Sequence, residues 1–110
     1  MITITPNPKR VVVRAGGAVI VDTTHALLLK EGGGAPVQYI PREDVTPGAL
    51  VESQHTTRCP YKGLARYFHL NAGGKQVDNA VWSYEDPIEA AAAIKNHVAF
   101  YPNRVIISEE

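Results

Sequence analysis

The segment from His55 to Gly63 holds the densest set of side chains that can take part in chemistry. It contains an imidazole, two hydroxyls, a thiol, a phenol and two cations. Pro60 restricts its own φ, and Gly63 permits a tight turn, so we expect a rigid loop. Such a loop presents Lys62 and Tyr61 to an anion.

Cys59 lies in the same segment and is the only cysteine of the chain. Neighbouring cations lower the pKa of a thiol, so one interpretation of Arg58 and Lys62 is that they make Cys59 a nucleophile. The other interpretation is a small, buried and inert thiol. A lone cysteine excludes an internal disulfide and favours a reducing compartment, so we expect a cytoplasmic protein.

A second cluster runs from Tyr39 to Val45. Arg42 offers a planar fork of donors that suits a carboxylate or a phosphate. Asp44 either orients Arg42 or accepts a proton. An ordinary intramolecular pair between Arg42 and Asp44 is the alternative interpretation.

Aromatic side chains occur only from Tyr39 to Tyr101, and they comprise five tyrosines, two phenylalanines and one tryptophan. Tyrosine combines an apolar ring with a hydroxyl, so this enrichment favours a partly wet pocket. The alternative is that the rings only fill a core. The candidate catalytic residues are Cys59, Lys62 and Asp44. The candidate ligand-binding residues are Tyr39, Arg42, Tyr61, Trp82, Tyr84 and Tyr101.

The elements that position these residues are mostly short strands. Glycine pairs at Gly16-Gly17 and Gly73-Gly74 separate apolar runs and indicate two hairpins. Closely spaced strands favour antiparallel pairing, because parallel crossovers need about a dozen residues or more. One helix is predicted from Pro87 to Asn96, with Asp86 as its N-cap.

The predicted fold class is mostly β, as an antiparallel β-sandwich or a small open barrel of tent-like sheets, with one short α-helix near residues 87–96. The chain has 110 residues, of which 45% are hydrophobic and 20% charged. These values are typical of a soluble globular protein. We therefore expect one domain spanning residues 1–110.

Charge and composition also exclude several partners. Eleven basic residues balance eleven acidic ones, so a strongly basic nucleic-acid footprint is absent. No apolar stretch is long enough for a membrane span and no secretory signal is visible, so we expect no membrane partner. The four histidines show no close pairing, and we expect no metal and no cofactor. The oligomeric state stays open.

Four motifs resemble one known family. They are Tyr39-x-Pro41-Arg42-x-Asp44-Val45, Thr57-x-Cys59-Pro60-Tyr61-Lys62-Gly63-x-Ala65-x-Tyr67, Ala80-x-Trp82-x-Tyr84-x-x-Pro87 and Phe100-Tyr101. Together they resemble the bacterial domain-of-unknown-function family 427, which is sometimes labelled a nucleotidyltransferase domain. The resemblance implies a compact, mostly β fold, a soluble bacterial-type protein and a nucleotide-sized ligand.

Three functional hypotheses follow from these observations. The first is a domain that binds a small anionic metabolite, a nucleotide among the candidates, with or without catalysis. The second is a structural or protein-interaction domain, and the third is thiol chemistry at Cys59. Metal-dependent phosphoryl transfer uses two or three carboxylates, whereas Glu43 and Asp44 are neighbours that would point apart on a strand. The sequence leaves open whether any reaction is catalysed.

Overall fold

Ten strands and two short 3₁₀ helices form the structure, a computed structural model that describes residues 1–110. The strands are β1 (Ile2–Asn7), β2 (Val11–Ala15), β3 (Ala18–Thr23), β4 (Ala26–Glu31), β5 (Val37–Pro41), β6 (Leu50–Cys59), β7 (Gly63–Ala72), β8 (Lys75–Ser83), β9 (His97–Phe100) and β10 (Ile106–Glu109). The 3₁₀ helices are η1 (Arg42–Asp44) and η2 (Glu89–Ile94).

The strands pair into two antiparallel sheets. The large sheet has the order β1-β4-β5-β9-β8-β7-β6, and the small sheet has the order β10-β2-β3. Both predicted hairpins are present, as β2–β3 and β7–β8. The large sheet does not close, since β1 and β6 remain its two edges. The predicted mostly β antiparallel fold class is confirmed.

The large sheet separates two apolar clusters. Consecutive residues of a strand point to opposite faces, so Ile40 and Phe68 pack towards the small sheet while Tyr39 and Tyr67 pack on the other face. Val13 of β2 belongs to the first cluster, which therefore forms the core between the sheets. The second cluster, which we call the aromatic face, holds Tyr39, Tyr67 and Tyr84, with Trp82 packed against it.

The two sheets approach most closely where the hairpin turns meet. Gly16 and Gly73 have φ of +56° and +57°. A Cβ built on Gly16 would lie 2.6 Å from the carbonyl oxygen of Ala72, and one built on Gly73 would overlap the carbonyl oxygen of Gly16. The glycines are thus required by both backbone conformation and space.

The prediction of an α-helix near the C-terminal end is wrong. The sequence predicts an α-helix from Pro87 to Asn96, whereas the structure has the shorter 3₁₀ helix η2 over Glu89–Ile94. Ala91 interrupts it with φ −115° and ψ 16°, and no side chain caps its start. The predicted N-cap, Asp86, therefore plays no capping part.

Tertiary contacts at both ends explain the difference. The N–H of Ile88 donates to the carbonyl of Lys62 at 2.9 Å, and the first N–H of η1 donates to the carbonyl of Asn96 at 3.0 Å. The segment between these ties buries Ala91 and Ile94, which are three residues apart. Both residues belong to the aromatic face, so the interrupted winding of η2 still buries one side of the segment. Neither 3₁₀ helix is of a length and apolarity that would let it span a membrane.

Candidate functional site

A cavity of about 320 Å³ opens on the aromatic face of the large sheet. Five of the residues singled out in the sequence line it: Tyr39, Lys62, Trp82, Tyr84 and Tyr101. Strand alternation explains most of this convergence, because side chains at alternate positions of neighbouring strands share one face. We call this space the aromatic cavity.

Lys62 enters the aromatic cavity from the turn between β6 and β7. Its side chain is 12% exposed, and its Nζ donates to Oε1 of Glu31 at 2.7 Å. Nζ also lies 5.9 Å from the ring centroid of Tyr84. Glu31 is the last residue of β4, which lies beside the edge strand β1. The ion pair therefore joins the β6–β7 turn at one edge of the large sheet to a strand near the other edge.

The charge of Lys62 is maintained by its surroundings. Burial alone lowers the pKa of Lys62, but the hydrogen bond to Glu31, the proximity of Cys59 and the charge of Glu31 outweigh burial and raise it. Lys62 is therefore a cation at neutral pH, suited to hold an anion rather than to accept a proton.

Tyr39 and Trp82 form the floor of the cavity. Nε1 of Trp82 donates to the hydroxyl of Tyr39 at 3.1 Å, and the two rings meet edge to face with centroids 6.4 Å apart. Tyr39 is 1% exposed, and burial raises the pKa of its hydroxyl. The hydroxyl stays protonated and accepts from Trp82, so its own proton remains available to another acceptor.

Tyr84 supplies a second donor. The residue is 6% exposed, and its hydroxyl takes part in none of the side-chain hydrogen bonds of the structure; since no fully buried side-chain oxygen lacks a partner, this hydroxyl is open to the cavity. Burial raises the pKa of Tyr84 well above its ordinary value, and the neighbouring Tyr39 adds to the shift. A neutral hydroxyl of this kind donates to an oxygen atom placed in the cavity.

Three further hydroxyls form a chain, and two of them belong to Tyr67 and Tyr101, which line the cavity. Oγ1 of Thr57 lies 3.0 Å from the hydroxyl of Tyr67, which lies 3.3 Å from that of Tyr101. The hydrogen bond with Tyr67, together with burial, raises the pKa of Tyr101 to about 12. The rings of Tyr101 and Trp82 are tilted against each other with centroids 4.6 Å apart. These rings give the cavity an extended aromatic wall.

Cys59 lies at the edge of this site. It ends β6, is partly exposed and packs against the aromatic face. It is near enough to Lys62 for the two groups to influence each other electrostatically. The structure thus brings together Cys59 and Lys62, while a nucleophilic role for Cys59 stays a prediction.

Arg42 and Asp44 lie away from the cavity. The guanidinium of Arg42 sits 4.7 Å above the ring of Phe68 and 3.3 Å from Glu85. Asp44 accepts a hydrogen bond from Thr23 at 2.7 Å. The chain leaves the large sheet directly after β5 and continues as η1. The side chains of Arg42 and Asp44 therefore do not line the aromatic cavity, and each contacts a different partner. They do not form the alternative Arg42–Asp44 pair.

Tyr61 also stands outside the aromatic cavity. The residue is 64% exposed and lines a separate cleft. The preceding Pro60 and the following Lys62 lie in the same turn, and only Lys62 points towards the cavity.

Sequence reasoning did not single out Glu31 and Tyr67 as site residues. Tyr67 carries a detectable signal, because it ends the family-like motif that begins at Thr57, and it shares the aromatic face with Ala65 of the same motif. Glu31 carries no local signal, since it precedes a glycine-rich loop. Its part in the site depends on β4 lying opposite the β6–β7 turn.

The chain has no group of three or more His, Cys, Asp or Glu side chains arranged to hold a metal ion.

Comparison with protein families matches residues 3–110 to a family described as "Domain of unknown function (DUF427)". A search of curated proteins found no match to the chain. The matched residues include all four of the motifs that resemble that family.

Proposed function

We propose, from the premise that the chain belongs to the domain-of-unknown-function family DUF427, that it binds a small anionic metabolite in the aromatic cavity. The observation that carries this proposal is the convergence of one cation, Lys62, and two unused hydroxyl protons, on Tyr39 and Tyr84, around one cavity. The ligand's charged oxygen would take these donors.

The donors suit an oxyanion. An ammonium group has three N–H donors, and Lys62 uses one of them for Glu31. The raised pKa values of Tyr39 and Tyr84 keep both phenols protonated, so each can only be a donor to an anion. Hydrogen bonds from a charged donor to a charged acceptor are the stronger kind.

The rings suit a flat ligand body. Trp82 and Tyr101 offer ring faces and edges to a planar group. At about 320 Å³ the cavity is near the lower end of the range of ligand pockets, about 300–1,000 Å³. This size favours a single planar body, such as a substituted benzene ring or a nucleobase.

The residues of the site favour ligand binding over catalysis of nucleotidyl transfer. Among the residues that line the aromatic cavity, Glu31 is the one carboxylate, and it is paired with Lys62. Metal-assisted phosphoryl transfer relies on several carboxylates around the phosphates. A nucleotide therefore enters as a candidate ligand rather than as a substrate.

Trp82 provides a direct test, because it is the only tryptophan of the chain and lines the cavity. We would titrate the protein with benzoate, phenyl phosphate and AMP and follow tryptophan emission. We expect a saturable change with at least one of them. Lys62→Met, which keeps an apolar stem, should weaken that binding at least about tenfold, as expected for loss of a charge-assisted contact.

Lys75→Met is the matched control, since Lys75 is exposed at the start of β8. It should bind as the unaltered protein does. The proposal fails if no probe changes the emission, or if Lys62→Met and Lys75→Met bind alike. Either result would favour the hypothesis that the rings only pack.

A further inference from the structure

A second cavity, of about 380 Å³, adjoins the aromatic cavity, and Glu31 lines both. We call this second cavity the apolar cleft; its other lining residues are Met1, Ile2, Tyr61 and Ala90. Met1 is fully exposed and Tyr61 is 64% exposed. Clustered apolar surface of this kind marks a binding site more often than scattered exposed residues do.

The apolar cleft is built by three elements that the fold holds together. They are β1, the β6–β7 turn and η2. The backbone hydrogen bond between Ile88 and Lys62 ties η2 to the turn, and η2 packs against β1. The cleft is thus a preformed surface, and its lining residues come from positions far apart in the sequence.

The boundary between the two cavities is polar. Glu31 lines both cavities, and its carboxylate lies 2.7 Å from the ammonium of Lys62, which lines the aromatic cavity. A molecule that spans the boundary places its charged group beside Lys62, with one arm on each side.

We infer that the ligand is an anion whose charged group joins a flat arm to an apolar arm, for which a phosphodiester is the simplest chemistry. The flat arm occupies the aromatic cavity and the apolar arm occupies the cleft; this inference rests on the proposed function. A carboxylate group carries only one substituent, so it would place a group in only one of the two cavities. A phosphodiester has a single negative charge and two ester substituents, one for each cavity.

A series of probes tests the second arm. Phenyl methyl, phenyl butyl and phenyl hexyl phosphate share the charged group and the ring, and differ only in alkyl length. Full burial of a methylene strengthens binding about fourfold. Because the cleft is open, we expect a gain of about twofold per methylene, measured as Kd from Trp82 emission.

Two variants from different elements locate the alkyl arm. Ala90→Glu on η2 places a charge in the cleft and should remove the gain with length; its repulsion of the phosphate acts on all three probes alike, so the gain from probe to probe is what is compared. Tyr61→Ala in the β6–β7 turn should also abolish the gain by removing one wall. Ile106→Ala, at another exposed apolar site (68% exposed), is the control and should keep the full gain.

The outcomes separate the two proposals. If phenyl methyl phosphate binds and chain length has no effect, or if the gain persists in Ala90→Glu, the inference is wrong and the proposed function stands. If none of the probes changes Trp82 emission, the proposed function fails and the inference fails with it. Should Tyr61→Ala also weaken the short probe by disturbing Lys62, the result with Ala90→Glu decides.

Discussion

Lys62 and Glu31 form the least exposed ion pair between a lysine or arginine and an acidic residue in the chain, with side chains 12% and 35% exposed. The other such pairs have side chains that are 43% or more exposed. Pairs as exposed as those contribute little to stability. The Lys62–Glu31 pair instead keeps a cation in place inside a cavity, and its carboxylate occupies a donor that a ligand anion would use.

Glu31→Gln should therefore strengthen anion binding. The substitution removes a negative charge next to the ligand and a competitor for Lys62. We expect the Kd for phenyl phosphate to fall about three- to tenfold, which corresponds to about 1 kcal/mol for a partly exposed charge. Titration followed by Trp82 emission measures it, with Glu43→Gln as the control. Weaker binding in Glu31→Gln would mean that Glu31 chiefly positions Lys62.

The buried phenols predict a loss of stability at high pH. The pKa of Tyr84 is raised by burial in the folded state, so its contribution is complete below the ordinary tyrosine pKa, about 10, and declines as pH rises above it. The raised pKa of Tyr39 and of Lys62 acts in the same direction. Urea unfolding at pH 8 and pH 11 should show a smaller decline for Tyr84→Phe than for the unaltered chain.

Tyr61→Phe is the control for that comparison, because Tyr61 is 64% exposed and lies outside the cavity. It should decline with pH as the unaltered protein does. An equal decline in Tyr84→Phe and Tyr61→Phe would show that Tyr84 contributes nothing to the alkaline limit.

Consecutive residues of the central strands point to opposite faces of the large sheet. Ile40 and Tyr39 are neighbours in β5, yet one belongs to the core between the sheets and the other to the aromatic face. The same holds for Phe68 and Tyr67 in β7. Each central strand therefore serves the core and the site at once. The turns are what allow the two sheets to approach, and two glycines make that approach possible.

Gly73→Ala should be strongly destabilising. A Cβ there would overlap the carbonyl oxygen of Gly16, and the residue has φ +57°. The conformational part alone is about 1–2 kcal/mol, and the overlap with backbone should bring the loss in the free energy of unfolding to more than about 2 kcal/mol. Urea unfolding measures the loss.

Gly74→Ala is the matched control in the same turn. Gly74 has φ +79° and nothing within 4 Å of a built Cβ, so only the conformational part applies. Equal losses in Gly73→Ala and Gly74→Ala would show that the close approach of the two turns is unimportant.

At the scale of the whole molecule, polar contacts tie the small sheet to the large one. Nδ2 of Asn7 donates to Glu109 at 2.6 Å and to Gln38 at 3.1 Å, and Nε2 of Gln38 donates to Glu109 at 2.9 Å. Asn7 and Gln38 lie in β1 and β5 of the large sheet, and Glu109 lies in β10 of the small one. The hydrogen bonds from Asn7 and Gln38 lower the pKa of Glu109. Since the large sheet is shared by both clusters, we expect them to unfold together.

Leu70→Ala tests this cooperativity. Leu70 is fully buried in the core between the sheets, so the substitution should lower the free energy of unfolding by about 2–5 kcal/mol. Trp82 emission reports on the aromatic face, and circular dichroism reports on the whole sheet. Both should give the same, lowered urea midpoint, whereas Val51→Ala at a 40% exposed site should change it little.

Different midpoints from the two probes in Leu70→Ala would contradict the prediction. They would mean that the aromatic face stays folded after the core between the sheets has opened.

The sequence by itself determined the strand-rich fold class, the two glycine hairpins and five of the 11 residues that line the aromatic cavity. These features follow from local rules: glycine pairs favour tight turns, and alternation puts Tyr39 and Trp82 on predictable strand faces. The Cys-Pro-Tyr-Lys-Gly segment also carried its own signal, since it placed Lys62 in a turn that reaches the site.

Only the tertiary structure decided which distant groups meet. Glu31 pairs with Lys62 because β4 lies opposite the β6–β7 turn, and Arg42 leaves the site because η1 turns the chain towards Phe68. The segment after Asp86 has the residues of an α-helix start, yet hydrogen bonds at both ends hold it as 3₁₀. Local propensity amounts to tenths of a kcal/mol per residue, and contacts between distant segments override it.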